Sequence, residues 1–297
     1  MRTLAGMAKK NRKKKLGPKP GAEPKTKKVE YVERPFEGLP GETEIVAMRE
    51  VVPAASTTLR TTEDFGGREF QLVTLLPDFL PALRREDGTV LVALQTAAHS
   101  GDASRDVAVA TLMALELEPG EPLRGTGIIE PGPRLQDILD LTEAPEVTVH
   151  DDFVFWIGEE QAKDPQAAQA LENANESIVP TAPVEGVTSM YWCRMGKEFV
   201  RWARPEDPEK VLDGIARLHA ERSSAIDEGS RFVGAFRSCG LSIPVWELAR
   251  GAEADELVGP AAAFDKRLTA AIAEDAPLTP EQRRARAGLV SRQVSLR

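Results

Sequence analysis

The sequence predicts an α+β protein: antiparallel sheets built from hairpin-then-helix units, a helical C-terminus and a disordered basic N-terminal tail. Three observations carry that prediction. Short alternating apolar runs are bounded by turn pairs such as Gly66-Gly67 and Asp87-Gly88, as strands of antiparallel sheets are. Aromatic runs are followed by Asp164-Pro165 and Asp207-Pro208, pairs that cap and open helices. The lysines crowd into the first 28 residues, where almost nothing apolar is present to bury.

The expected organisation is a tail over residues 1–33, an N-terminal α+β half over 34–142, a C-terminal half over 143–278 and a basic terminal helix over 279–297. Gly38-Leu39-Pro40-Gly41 marks entry to the folded region, and a short helix over 42–51 follows, ended by Pro53. Thr57–Thr62 and Arg68–Leu76 read as strands around Gly66-Gly67. Pro77 and Pro81 bound a connecting turn, and Asp87-Gly88 precedes a strand over Thr89–Thr96. Residues 105–117 alternate like a strand, but Ala108, Ala110 and Ala114 favour helix with Ser104 as cap, so helix is expected. Pro119-Gly120 stops it. A Gly- and Pro-rich loop runs to Pro133, and Arg134–Leu141 reads as a short amphipathic helix.

Val147–His150 and Phe153–Ile157 then predict a hairpin around Asp151-Asp152, followed by a helix capped by Asp164. Val187–Met195 and Glu198–Trp202 predict a second hairpin around Gly196-Lys197, followed by a helix capped by Asp207. The two stretches echo each other, which points to two similar halves. Convergent use of Trp in strands and Pro at helix starts is the alternative. In the last third, Val211, Leu212, Ile215, Leu218 and His219 form a helical stripe. Leu241–Leu248, with Pro244 inside, reads as an edge or loop segment. Leu257–Ile272 is a further helix, and Thr279-Pro280-Glu281-Gln282 is a capping box opening the last one.

Charge is segregated beneath the net value of -9. Residues 1–28 hold eleven Lys and Arg against one acid, Glu23, and residues 283–297 hold five arginines and no acid. The body between them, 29–282, carries 22 basic and 46 acidic residues. That body uses eighteen arginines and four lysines, whereas nine of the thirteen lysines lie in the tail. Lysine is a hydrated point charge suited to phosphates without fixed geometry. Lys9, Lys10, Arg12, Lys13, Lys14 and Lys15 are therefore the candidate nucleic-acid contacts, with RNA or the ribosome as the expected partner. Anionic lipid and a merely solubilising extension are the alternatives, and no membrane association is expected. Met7-Ala8-Lys9-Lys10 reads as a start of its own, with 1–6 an over-extension. The acidic body argues against a nucleic-acid groove on the folded part.

A hydrophobic share of 41% against 29% charged excludes wholesale disorder. No apolar run is long enough to span a membrane, and no apolar stretch follows the N-terminal basic residues as in a secretory signal. Two cysteines cannot make a disulfide framework, which predicts a cytoplasmic setting.

Two long phrases carry a resemblance. Arg34-Pro35-Phe36-Glu37-Gly38-Leu39-Pro40-Gly41-Glu42 continues as Val46-Ala47-Met48-Arg49-Glu50-Val51-Val52-Pro53-Ala54-Ala55. Phe232-Val233-Gly234-Ala235-Phe236-Arg237 is followed by Gly240-Leu241-Ser242-Ile243-Pro244-Val245-Trp246-Glu247-Leu248. Both resemble an uncharacterised actinobacterial family, domain of unknown function 5926, over roughly residues 34–250. The resemblance implies no established activity. Some relatives carry an N-terminal SEC-C zinc motif and a SecA-like label. That motif needs clustered Cys and His, and residues 1–33 contain neither, so zinc and the SecA connection do not carry over.

Tested as chemistry, the remaining motifs are sparse. His99, His150, His219, Cys193 and Cys239 have no pair at metal-ligand spacing, so neither a metal nor a cofactor is expected. Gly120–Gly127 lacks the Gly-Lys-Ser/Thr ending of a phosphate loop. Cys239 with His219 is a faint nucleophile–base pair, set against a small buried cysteine. His150-Asp151-Asp152 is an acid–base candidate set against a polar turn. Tyr191, Trp192 and Trp202 with Arg194 and Arg201 are a base-stacking candidate set against core packing. The expected function is a binding or accessory protein whose tail tethers an acidic body to RNA or the ribosome. The alternative is an enzyme with a pocket between the two halves.

Overall fold

The structure is a computed structural model, and it describes residues 29–97, 99–127, 130–142 and 144–293. The first helix, α1 (Glu42–Glu50), starts at Gly41, which takes φ 69. A Cβ there would come 2.6 Å from the Pro145 ring, so only glycine lets the chain turn into α1 at this point.

The strands β1 (Ala55–Arg60), β2 (Glu69–Val73), β3 (Ala82–Arg84) and β4 (Val90–Ala93) follow. Next come α2 (Ala103–Ala114), β5 (Pro122–Leu123), α3 (Leu135–Ile138) and β6 (Thr148–Val149). The six strands form one mixed sheet in the order β5-β3-β4-β2-β1-β6, in which β2 and β4 run parallel. After α4 (Pro165–Asn175) come β7 (Thr181–Pro183), β8 (Met190–Arg194), β9 (Glu198–Trp202) and α5 (Pro208–Ala220). The chain ends with β10 (Arg231–Ser238), β11 (Leu241–Glu247), α6 (Val258–Ala273) and α7 (Pro280–Gln293). The second sheet is wholly antiparallel, in the order β10-β11-β9-β8-β7.

Strand alternation explains the layering. Phe70, Leu72, Val90 and Val92 leave the first sheet on the side of α1 and α2. Tyr191, Leu241 and Ile243 leave the second sheet toward the same cluster. Helix α1 lies in that shared core, with Ile45, Val46, Ala47 and Met48 almost wholly buried. The opposite face of the second sheet, with Trp192, Val200, Trp202 and Trp246, packs on α5 and α6. Both α+β content and the C-terminal helix stand as expected, and the caps form: Asp164 and Asp207 each accept from two first-turn amides, and in the capping box Thr279 and Gln282 bond reciprocally.

Several local expectations are corrected. Residues 153–157 are not a strand. Thr148–Val149 pairs with β1, and Val154–Trp156 is a 3-10 turn closed by Trp156 N–H to Phe153 and by Asp152, whose carboxylate accepts from Val154 N–H. The turn puts Phe153, Phe155 and Trp156 together on the far face of the first sheet, against Val73, Leu91 and Ala93. A strand would have sent alternate rings to solvent. The echo between the halves therefore reduces to two capped, Pro-opened helices on sheets of different topology. Asp102, not Ser104, caps α2. The Ser104 hydroxyl instead accepts from Leu135 N–H and donates to Gln136, joining α2 to α3. Leu241–Glu247 is an interior strand between β10 and β9 despite Pro244, and a bulge between Phe232 and Gly234 adjusts the ladder.

Candidate anion-binding cleft

The candidate residues Lys9, Lys10, Arg12, Lys13, Lys14 and Lys15 lie outside the described residues, as does all of 1–28. The chain enters the described structure at Val29. Val32 N–H donates to Gly101 O at 2.9 Å, which lays residues 29–33 across the start of α2.

That segment walls a cleft of about 660 Å³ lined by Val29, Glu30, Val32, Asp102, Arg105, Pro131 and Arg134. At its base a buried carboxylate, Asp102, meets two partly exposed arginines. The Asp102 carboxylate is almost fully enclosed, with Arg134 Nε at 2.9 Å and Arg105 Nε at 3.5 Å from the same oxygen, Oδ2. The Oδ2 contacts are by proximity rather than alignment, since Oδ2 and both Nε atoms are buried without an aligned hydrogen-bond partner among the described residues, whereas Arg134 Nη2 donates to Oδ1 at 3.4 Å. Arg134 anchors itself on Pro35 O at 2.8 Å. The Arg105 guanidinium, only 16% exposed, makes no hydrogen bond to any described residue. Glu30 also lines the cleft, so its two arginines face two carboxylates, but Arg105 retains unfilled donors. An oxyanion entering the cleft would meet donors already fixed in place.

Several other arginines are paired with carboxylates. Arg34 makes a two-pronged pair with Glu42, Arg204 is held by Glu206 and Asp265, and Arg286 by Asp213 and Glu209. Arg194 lies 4.9 Å above the Trp192 ring and pairs with Glu198 and Glu253. Trp192 and Trp202 are buried and donate to Ala252 O and Thr188 O. The aromatic strand face is core, and no base can stack on it.

The other candidates separate. His219 bonds Ser224 at 3.2 Å and lines a cleft beside α7, whereas Cys239 lies in a second cleft, of about 230 Å³, with His99, Arg49 and Asp106. The structure thus brings His99, not His219, into the cleft of Cys239. Burial pushes the Cys239 thiol up, away from the reactive thiolate. His150 contacts Ser56 Oγ at 2.8 Å and stacks on Phe155, and burial lowers its pKa. Among the described residues, no three His, Cys, Asp or Glu side chains converge to hold a metal ion. No helix among them is long and apolar enough to cross a membrane.

The Asp102–Arg105–Arg134 triad was not evident in the sequence. Its members are up to 32 positions apart, and only the docking of α3 on α2 joins them. A family model described as a family of unknown function, DUF5926, matches residues 35–297. No curated protein and no solved structure matches the chain.

Proposed function

Because the chain belongs to the family of unknown function DUF5926, which assigns it no activity, we propose its role from its own charges: it is a polyanion-binding accessory protein. In this reading Lys9, Lys10, Arg12, Lys13, Lys14 and Lys15 hold RNA, free or ribosomal, and the acidic body stays clear of it. The supporting observation is one of continuity. The basic segment joins the body at Val29, on the wall of the cleft where Arg105 keeps unfilled donors. A phosphate chain engaged by the leader is thereby brought beside Arg105 and Arg134.

The enzyme alternative would rest on Cys239 in the cleft between α1, α2 and the β10–β11 turn, and the raised thiol pKa weighs against it.

Binding of a single-stranded RNA, followed by fluorescence anisotropy over a salt series, tests the reading. Six contacts predict a slope of log K against log salt of about -4. Replacing the six cations by glutamine should flatten it, and Arg105→Ala should reduce it by about 1. Deletion of 1–28 should also end co-sedimentation with ribosomes. Unchanged binding without residues 1–28 would refute the tether.

A further inference from the structure

A separate cleft, of about 640 Å³, opens between the end of α5, the start of β10 and the first turns of α7. Arg222, Arg231, Arg284, His219, Ser224 and Glu281 line it. Arg231 is taken by Glu247 at 2.7 Å. Arg222, in a body whose acids outnumber its bases, and Arg284, in the basic terminal helix, form no ion pair with any described residue.

The backbone at Arg222 adds an independent observation. Helix α5 ends in a Schellman motif: Ser223 N–H donates to Leu218 O at 2.8 Å and Arg222 N–H to His219 O at 3.1 Å. The position after the cap must be left-handed, and Arg222 takes φ 57 there. Glycine is the residue that fits this position without strain. The chain instead carries a long cation, whose side chain is thereby set on the wall of the cleft. Strain of this kind is retained where the side chain has a use.

We propose that this cleft binds a phosphorylated, hydroxyl-bearing small molecule, a sugar or nucleoside monophosphate. Arg222 and Arg284 take the phosphate, with Ser224 beside them as a neutral donor. Two unpaired guanidiniums match a dianion, and phosphate oxygens accept from both forks. Glu281 would repel a bare anion, but it accepts from a ligand hydroxyl, which is why the ligand is not phosphate alone. The volume leaves room for a ring beyond the phosphate.

Calorimetric titration of the full chain with ribose 5-phosphate, ribose and inorganic phosphate tests this. Ribose 5-phosphate should bind, ribose should not, and inorganic phosphate should bind at least tenfold more weakly than the sugar phosphate. Arg222→Gly should weaken ribose 5-phosphate at least tenfold with Tm unchanged or raised, because glycine relieves the left-handed backbone. Arg284→Gln should weaken it similarly. The tail lysines are the same in every variant, so the ratio reports the cleft. No binding of ribose 5-phosphate, or equal binding by the Arg222→Gly protein, overturns the site. Inorganic phosphate binding as tightly as the sugar phosphate overturns the ligand class.

Discussion

Glu44 belongs to α1 but serves the second sheet. Its carboxylate accepts from the Ser189 N–H at 2.9 Å and from the Tyr191 hydroxyl, both on buried residues. Burial is the main cause holding the Tyr191 phenol protonated, with the Glu44 charge adding to it. Glu44→Ala leaves two buried donors unmade and should destabilise the fold by about 2–4 kcal/mol. Tyr191→Phe removes one donor together with one bond and should cost less. Urea midpoints of the two variants check the order. His150 supplies a pH dependence. Its folded pKa lies below the unfolded value of about 6.5, so the unfolded chain binds the proton more readily. The stabilising preference for neutral His150 is complete above the unfolded pKa. It is lost as pH falls from there through the folded pKa. His150→Gln should therefore show a shallower loss of stability between pH 7 and 5 than the wild type.

Among the elements, α5 and α6 pack through a gap that only glycine allows. A Cβ on Gly214 would lie 2.6 Å from Ile272 Cγ1 and 3.0 Å from Ile272 N. Alanine in a helix interior is ordinarily favoured over glycine by about 1 kcal/mol. Here the backbone of α6 cannot yield as a flexible side chain would. Gly214→Ala is expected to destabilise by about 1–3 kcal/mol. A gain in thermal midpoint for this variant would mean that the two helices separate easily. The same pairing anchors the terminal helix, because Arg286 of α7 reaches Asp213 and Glu209 of α5.

For the molecule as a whole, the shared core around α1 decides cooperativity. One apolar cluster contains Phe70 and Leu72 of the first sheet, α1, and Tyr191, Leu241 and Ile243 of the second. Neither sheet buries that face alone. Unfolding followed by tryptophan fluorescence and by far-UV circular dichroism should give coincident single transitions. In hydrogen exchange, α1 should open only with global unfolding, whereas α4, which buries Leu171 alone, should open earlier. Two resolved transitions would show that the sheets are independent units.

Capped helices were legible in the sequence because their signals are local. Asp164-Pro165, Asp207-Pro208 and the box at Thr279 each fix a helix start within four residues. The charge segregation was legible for the same reason, being a property of composition along the chain. The aromatic run at Phe153 misled, since a 3-10 turn and a strand both bury such a run and only the sheet beneath it chooses between them. The interior place of β11 was likewise set by its neighbours, not by Pro244. Neither cleft could be read in advance. Asp102 meets Arg134, and Arg222 and Arg284 line one cleft, across distances in sequence that no spacing rule covers. Residue order determined where helices begin and where charge accumulates, because those depend on near neighbours. Tertiary packing decided which arginines are left without a partner, because that depends on what the fold brings to them.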